Sequence, residues 1–397
     1  MSNKLMELTA AEIDAAAGAV LTVDLDAVVA NYRLLTRMLG GRRCAAVVKA
    51  DAYGLGAEPV ARKLQAAGCR HFFVAHLTEA LSLRPVLDKT NNIFVLNGLN
   101  PGSEIHAVRH NITPVLNSIE QLHAWRQQAM LSYRTLPAVL QLDTGMSRLG
   151  LSQSELDSLI ASPHYLEGID LQFVMSHLAC ADEPDHPANR MQLENFVSMR
   201  RHLPAIPASF ANSAGIFLGS AYQADLGRPG IALYGAHPGA NRSTPLSPAV
   251  KLEAKIVQLR EIEAGAGVGY GHAFISSKAT RLATISVGYA DGWMRSLSGR
   301  GCAFLDDQPL PIVGRVSMDS MTLDVSMVPP SKLRPGALVE LIGPHQSVDD
   351  IAAHAGTIGY EILTGLGTRY ARRYRGIGSD EATARTPGAM ERTEIAR

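Results

Sequence analysis

From residue 45 to about residue 226 the chain alternates short apolar, β-rich runs with amphipathic stretches. That alternation constrains its fold more than any other feature. The runs lie at 45–48, 72–75, 93–96, 113–116, 138–142, 171–175 and 207–210, with a weaker eighth near 223–226. Helical patterns such as 58–67, 118–128 and 189–202 fall between them. Ahead of the first run, Val28, Tyr32, Leu35 and Leu39 recur at helical spacing and read as a core-facing stripe. Strand–helix units repeated at this length predict an α/β architecture with a parallel sheet. Eight of them fit a (β/α)8 barrel of the TIM type, whose functional site lies at the C-terminal ends of the strands. A doubly wound open sheet is the alternative.

Near Pro245 the pattern changes. Residues 251–261, 281–287, 302–305, 321–325 and 337–342 alternate polar with apolar, Gly turns separate them, and helical stretches are few. They predict a second, mostly β domain. The expected division is an N-terminal extension at 1–17, the barrel at 18–245, the β-rich domain at 246–376 and a polar tail at 377–397. The tail's composition predicts disorder.

Lys+Arg 37 against Asp+Glu 37 gives no electrostatic case for nucleic acid or an anionic membrane. Cys44, Cys69, Cys180 and Cys302 are scattered, so neither a metal site nor a disulfide framework is expected. The first residues lack the apolar core of a signal peptide, and no apolar run approaches the roughly 20 residues of a membrane span. A cytoplasmic setting is the expectation. Gly265-Ala-Gly-Val-Gly-Tyr270-Gly looks like a dinucleotide loop but lacks the flanking strand, helix and distal acid of that motif.

Chemistry concentrates where the strands end. Lys49 follows the buried run 45–48 in Val-Lys49-Ala-Asp-Ala-Tyr53-Gly. A buried ammonium is costly, so such a lysine is either salt-bridged or engaged as a neutral amine, for example in a Schiff base. Asn212-Ser213-Ala-Gly follows the run 207–210 and offers a hydroxyl and backbone N–H groups at a helix start, which suits an anion or a plain helix cap. Arg228-Pro-Gly230-Ile231 adds backbone N–H groups, and its arginine is either functional or a surface residue before a turn.

These segments together resemble the alanine racemases, barrel-type (fold type III) enzymes that use pyridoxal 5'-phosphate. The resemblance runs from about Val20 to about Arg372. It implies that Lys49 carries the cofactor aldehyde and that Tyr53, Ser213, Gly230 and Ile231, beside Asn212, hold its phosphate. It also implies that Arg228 bonds the ring nitrogen. An arginine stays charged and does not readily give its proton to the ring, which favours rapid reprotonation over transamination.

Racemisation needs one acid/base group on each face of a planar carbon. The resemblance assigns these roles to Lys49 and to Tyr270 in Val-Gly-Tyr270-Gly-His. His177 in Ser-His177-Leu-Ala matches the histidine that supports the tyrosine. Arg148 in Asp143-Thr-Gly-Met-Ser-Arg148 matches a contact to the substrate carboxylate and the cofactor phenolic oxygen. Met318 matches a backbone donor to the substrate carboxylate, and Tyr289 an entrance-channel tyrosine. Tyr270 and Met318 would come from the partner subunit of a head-to-tail homodimer. The implied activity is interconversion of L- and D-alanine, serving wall synthesis or alanine catabolism.

Three positions depart from the common family pattern. Gln141 stands where a lysine, carbamylated in some members, is frequent, and its amide oxygen is expected to accept from Arg148. Ser209 stands where histidine is frequent. Thr368 stands where tyrosine precedes the arginine of the C-terminal motif. A serine or broad-specificity racemase is the alternative with the same mechanism. A barrel-type decarboxylase would need a glutamate at the ring nitrogen, which Arg228 argues against. A single-barrel cofactor carrier would lack the domain from about residue 246 onward.

Overall fold

The computed structural model describes residues 9–239 and 245–376. Seven parallel strands follow one another in sequence order from Ala46–Val47 through His71–Val74, Asn92–Val95, Thr113–Leu116, Leu136–Gln141 and Ile169–Met175 to Ala208–Ser209. The eighth, Leu226–Gly227, pairs in parallel with Arg43–Cys44, just ahead of the first. Arg43 N donates to Asp225 O at 3.1 Å, Ala45 N to Gly227 O at 2.9 Å and Val47 N to Pro229 O at 2.9 Å. Asp225 N in turn donates to Ala208 O at 3.0 Å. The sheet therefore closes on itself, as expected for a barrel and not for an open sheet.

The strands are buried on both faces, which is why they read as continuous apolar runs. Phe73 stacks on Phe94 with ring centroids 4.7 Å apart, and Phe173 meets Phe94 edge-on at 5.1 Å. Helices Ala57–Ala66, Ile119–Leu131 and Pro187–Arg200 lie where the amphipathic patterns predicted them. Ser118 caps the second by accepting from Gln121 N.

The β domain is built around the long strand Val250–Ile262. One half pairs with Leu338–Ile342 and with Ala19–Asp24; the other pairs with Thr280–Ile285. Several of its strands were not expected, among them Gln308–Val313 and the first and last described strands. Ala19–Asp24 falls in the segment assigned to the barrel, yet it lies between Val250–Ile262 and the C-terminal strand Ala371–Arg375. Its partners come from the far end of the chain, and no local pattern shows that.

The extension's second half is a helix, Ala10–Ala16, capped by Thr9 with Glu12. It docks on the β domain, where Arg373 meets the Asp14 carboxylate and Lys255 the Asp14 carbonyl. Residues 1–8 of the extension and the tail 377–397 lie outside the described residues. Gly267–Val268 and the turn Tyr270–His272 belong to the β domain, with no helix after the glycines.

Candidate active site

Lys49 emerges from the strand Ala46–Val47 into an unusual turn. Ala50, Asp51, Ala52 and Tyr53 all have positive φ, between 53° and 58°. A left-handed conformation costs L-residues about 1–2 kcal/mol each, so the turn persists only because its surroundings hold it. Ala52 N donates to Val48 O at 2.9 Å, and the Asp51 carboxylate accepts from Ala57 N at 2.7 Å. At the far end Arg372 donates to Gly54 O at 2.7 Å. At the near end Glu79 accepts from Ala50 N at 2.6 Å. Burial, then the charge of Arg148, pushes the Lys49 ammonium below its ordinary proton affinity, while the Glu79 carboxylate opposes them.

Tyr53 completes the turn and packs on Tyr234, ring centroids 4.9 Å apart. Burial raises its phenol well above the ordinary range, so it stays a donor. Its hydroxyl makes no hydrogen bond among the described residues and lies against Gly230, where a Cβ would overlap it. Ser213 Oγ accepts from Gly230 N at 2.8 Å and from Ala232 N at 3.4 Å, which leaves its own O–H to donate. Asn212 caps the short helix Ser213–Phe217 through Gly215 N. Ile231 opens a short 3-10 turn, Ile231–Tyr234. Two uncommitted hydroxyls beside a glycine that leaves room for them make a cradle suited to a phosphate.

Arg228 is buried beside it. Its Nη1 donates to Ser209 Oγ at 2.5 Å and its Nη2 to Ser176 O at 2.7 Å. Ser209 passes its own proton to Leu226 O at 2.6 Å. A neutral hydroxyl thus orients the guanidinium. Burial lowers Arg228 to about 9. His177 is held neutral, down to about 3, by burial and by the charges of Arg228, Arg148 and Lys49. Its Nε2 lies 3.5 Å from the Asn212 amide nitrogen.

Arg148 is exposed. The expected bond from Arg148 to Gln141 does not form. The buried Gln141 instead spends its amide nitrogen on Leu149 O at 3.1 Å, steadying the loop that carries Arg148 rather than its side chain.

Tyr270, Tyr289 and Met318 gather elsewhere, on one face of the β domain. Tyr270 lines a hollow of about 620 Å³ with Gly269, Gly271, His272 and Ser317. Tyr289 N donates to Ser317 O and Ala290 N to Met318 O, both at 3.0 Å. Arg369 ties these loops together. It grips both oxygens of Asp291 at 2.7 and 2.8 Å, and Asp319 at 2.6 Å. Tyr270 is 72% exposed and Met318 53% exposed. Among the described residues no hydrogen bond, ion pair or ring contact joins this trio to Lys49 or the cradle.

Sequence reading missed Glu79 and Ser176, and it saw Arg369 only as the arginine of the C-terminal motif, without its bonds to Asp291 and Asp319. Glu79 carried a signal, an acid in a helix's first turn just after a barrel strand. Ser176 acts through its carbonyl, which no side-chain pattern reveals.

Two family models match the chain: alanine racemase N-terminal domain over residues 23–238, and alanine racemase C-terminal domain over 249–374. The chain is similar to the catabolic alanine racemase of Mesorhizobium japonicum, 54% identical over 363 residues, covering 91% of this chain and 95% of that protein. It is 53% identical over 383 residues to that of Agrobacterium fabrum, covering 96% and 99%. Among solved structures it resembles the alanine racemase of Bartonella henselae with covalently bound pyridoxal phosphate. That likeness has a TM-score of 0.87 and 46% identity, and covers 90% of this chain and 99% of that one.

Proposed function

The chain belongs to the alanine racemase family and interconverts L- and D-alanine with pyridoxal 5'-phosphate, and from that premise we propose that Lys49 and Tyr270 move the proton, one on each face of the substrate Cα. The observation that carries this reading is the setting of Lys49. It is an amine of lowered proton affinity at a barrel strand end, next to a cradle of two uncommitted hydroxyls.

The cofactor, when bound, supplies an electron sink that acidifies the substrate's Cα–H. The protein's own residues do the rest. Tyr53, Ser213, Gly230 and Ile231, with Asn212 behind them, hold the phosphate. Arg228, fixed by Ser209 and Ser176, faces the ring nitrogen as a donor. Arg148 and the Met318 backbone orient the carboxylate of alanine, and Tyr289 lines the approach. Lys49 takes or returns the Cα proton on one face, and Tyr270 does so on the other, with neutral His177 beside it as a hydrogen-bond partner.

We further propose that the site is shared across a head-to-tail homodimer. The exposure of Tyr270 and Met318, and their separation from Lys49 within one chain, support this. A cytoplasmic setting is supported by four free cysteines, and no helix among the described residues is long and apolar enough to cross a membrane. The test is chiral product analysis over a panel of L-amino acids, with the bound cofactor's absorbance followed alongside. Alanine should be racemised fastest. A yellow protein that racemises none of them overturns the reading.

A further inference from the structure

We propose that Glu79 is the positioning residue of the reactive amine: its carboxylate grips the first residue of the left-handed turn and so fixes Lys49 and Tyr53 relative to one another. The inference rests on the reading that Lys49 carries the cofactor. Glu79 lies in the helix Leu77–Leu83, which follows the neighbouring barrel strand His71–Val74. One carboxylate oxygen accepts from Ala75 N at 2.7 Å and His76 N at 3.0 Å, which roots the side chain in its own β/α unit. The other oxygen reaches across to Ala50 N at 2.6 Å.

Lys49 stands immediately before Ala50, and Tyr53 is the last non-glycine residue of the left-handed run. A change of φ at Ala50 therefore moves the amine and the phosphate-binding hydroxyl apart. The alanines of the turn have no polar side chain with which to fix it. The Asp51 carboxylate bonds only Ala57, within the same segment. Arg372 holds the opposite end through Gly54. Among the described residues Glu79 is thus the outside side chain that holds the turn's backbone at the end where the amine sits. It is also the anion that bears on Lys49, against Arg148, with His177 close by and neutral.

Two variants of the full-length, cofactor-loaded protein separate the grip from the charge. Glu79→Asp keeps the charge and can keep the bonds to Ala75 and His76, but falls one methylene short of Ala50. Glu79→Gln keeps the length but has one oxygen for three N–H donors and no charge. Both should lose pyridoxal phosphate on dialysis about ten- to a hundredfold faster than the parent, the effect of one lost charged hydrogen bond. Circular dichroism should show both folded. Only Glu79→Gln should move the limb of the kcat pH profile set by Lys49, whose amine is free once substrate has displaced it, and move it to lower pH. Parental cofactor retention and kcat in Glu79→Asp would overturn the grip. An unmoved limb in Glu79→Gln would overturn the electrostatic part. If Lys49→Ala keeps the yellow band, the underlying assignment of Lys49 fails instead.

Discussion

The barrel and the β domain each carry part of the candidate site, and they hold it differently. On the barrel side Arg228 and Ser209 are buried, and bonds of 2.5–2.7 Å link them to each other and to the Leu226 and Ser176 carbonyls. On the β side Tyr270, Tyr289 and Met318 are exposed, and only the loops beneath them are fixed, by Arg369. A buried, hydrogen-bonded set is preorganised and fits a resident charged group. An exposed aromatic face on a rigid base fits a surface that is completed by docking. The contrast suggests that cofactor binding is a property of one chain and racemisation a property of two.

The largest effect is expected at Lys49. Lys49→Ala should abolish racemisation in both directions and remove the yellow absorbance, which spectrophotometry and polarimetry read directly. Near-parental racemisation in that variant would sink the barrel half of the argument.

Tyr270→Phe should keep the cofactor and lower kcat about 10²–10⁴-fold, the usual worth of a general acid/base. In deuterated water, exchange at Cα should persist for one enantiomer and fail for the other. Equal loss for both would turn Tyr270 into a positioning group.

Mixing these two inactive variants under subunit exchange tests the sharing itself. Half the dimers become hybrids with one intact site of two, so roughly a quarter of parental activity should return. No return after demonstrated exchange would place both groups on one chain.

Arg369→Lys should loosen the β-side loops, because lysine cannot grip both oxygens of Asp291. A rise in alanine KM of about three- to tenfold with kcat nearly kept is expected, given that the arginine is half exposed. The smallest effect is expected at Gln141→Ala. Loss of the bond to Leu149 should raise KM about two- to fivefold, an effect of about one hydrogen bond or less. Activity should be indifferent to bicarbonate, since an amide binds no CO2.

The barrel was legible because its strands are local, apolar on both faces and evenly spaced. Most barrel-side candidates stand out in the sequence because each follows such a strand. Less legible was everything fixed by partners distant in sequence. Ala19–Asp24 reads as the start of the barrel segment until its register with Ala254 and Ala371 is known. The left-handed turn after Lys49 contains no glycine before Gly54 to announce it. Gln141 was expected on Arg148 and bonds a carbonyl one residue further on. Side chains that bond backbone atoms are the hardest to anticipate, since every residue offers the same carbonyl.

The pairing of the first and last described strands sets the order in which the molecule is made. A ribosome releases the whole barrel before Ala371–Arg375 exists, at about 5–20 residues per second. Until then Ala19–Asp24 has at least one unpaired edge, an exposed template for wrong partners during synthesis. The late strand also carries Arg372, which pins Gly54 at the end of the turn that begins beside Lys49. A chain stopped short of Arg372 should therefore fold most of its barrel and remain without a finished place for its cofactor. Catalytic competence arrives with nearly the last of the described residues.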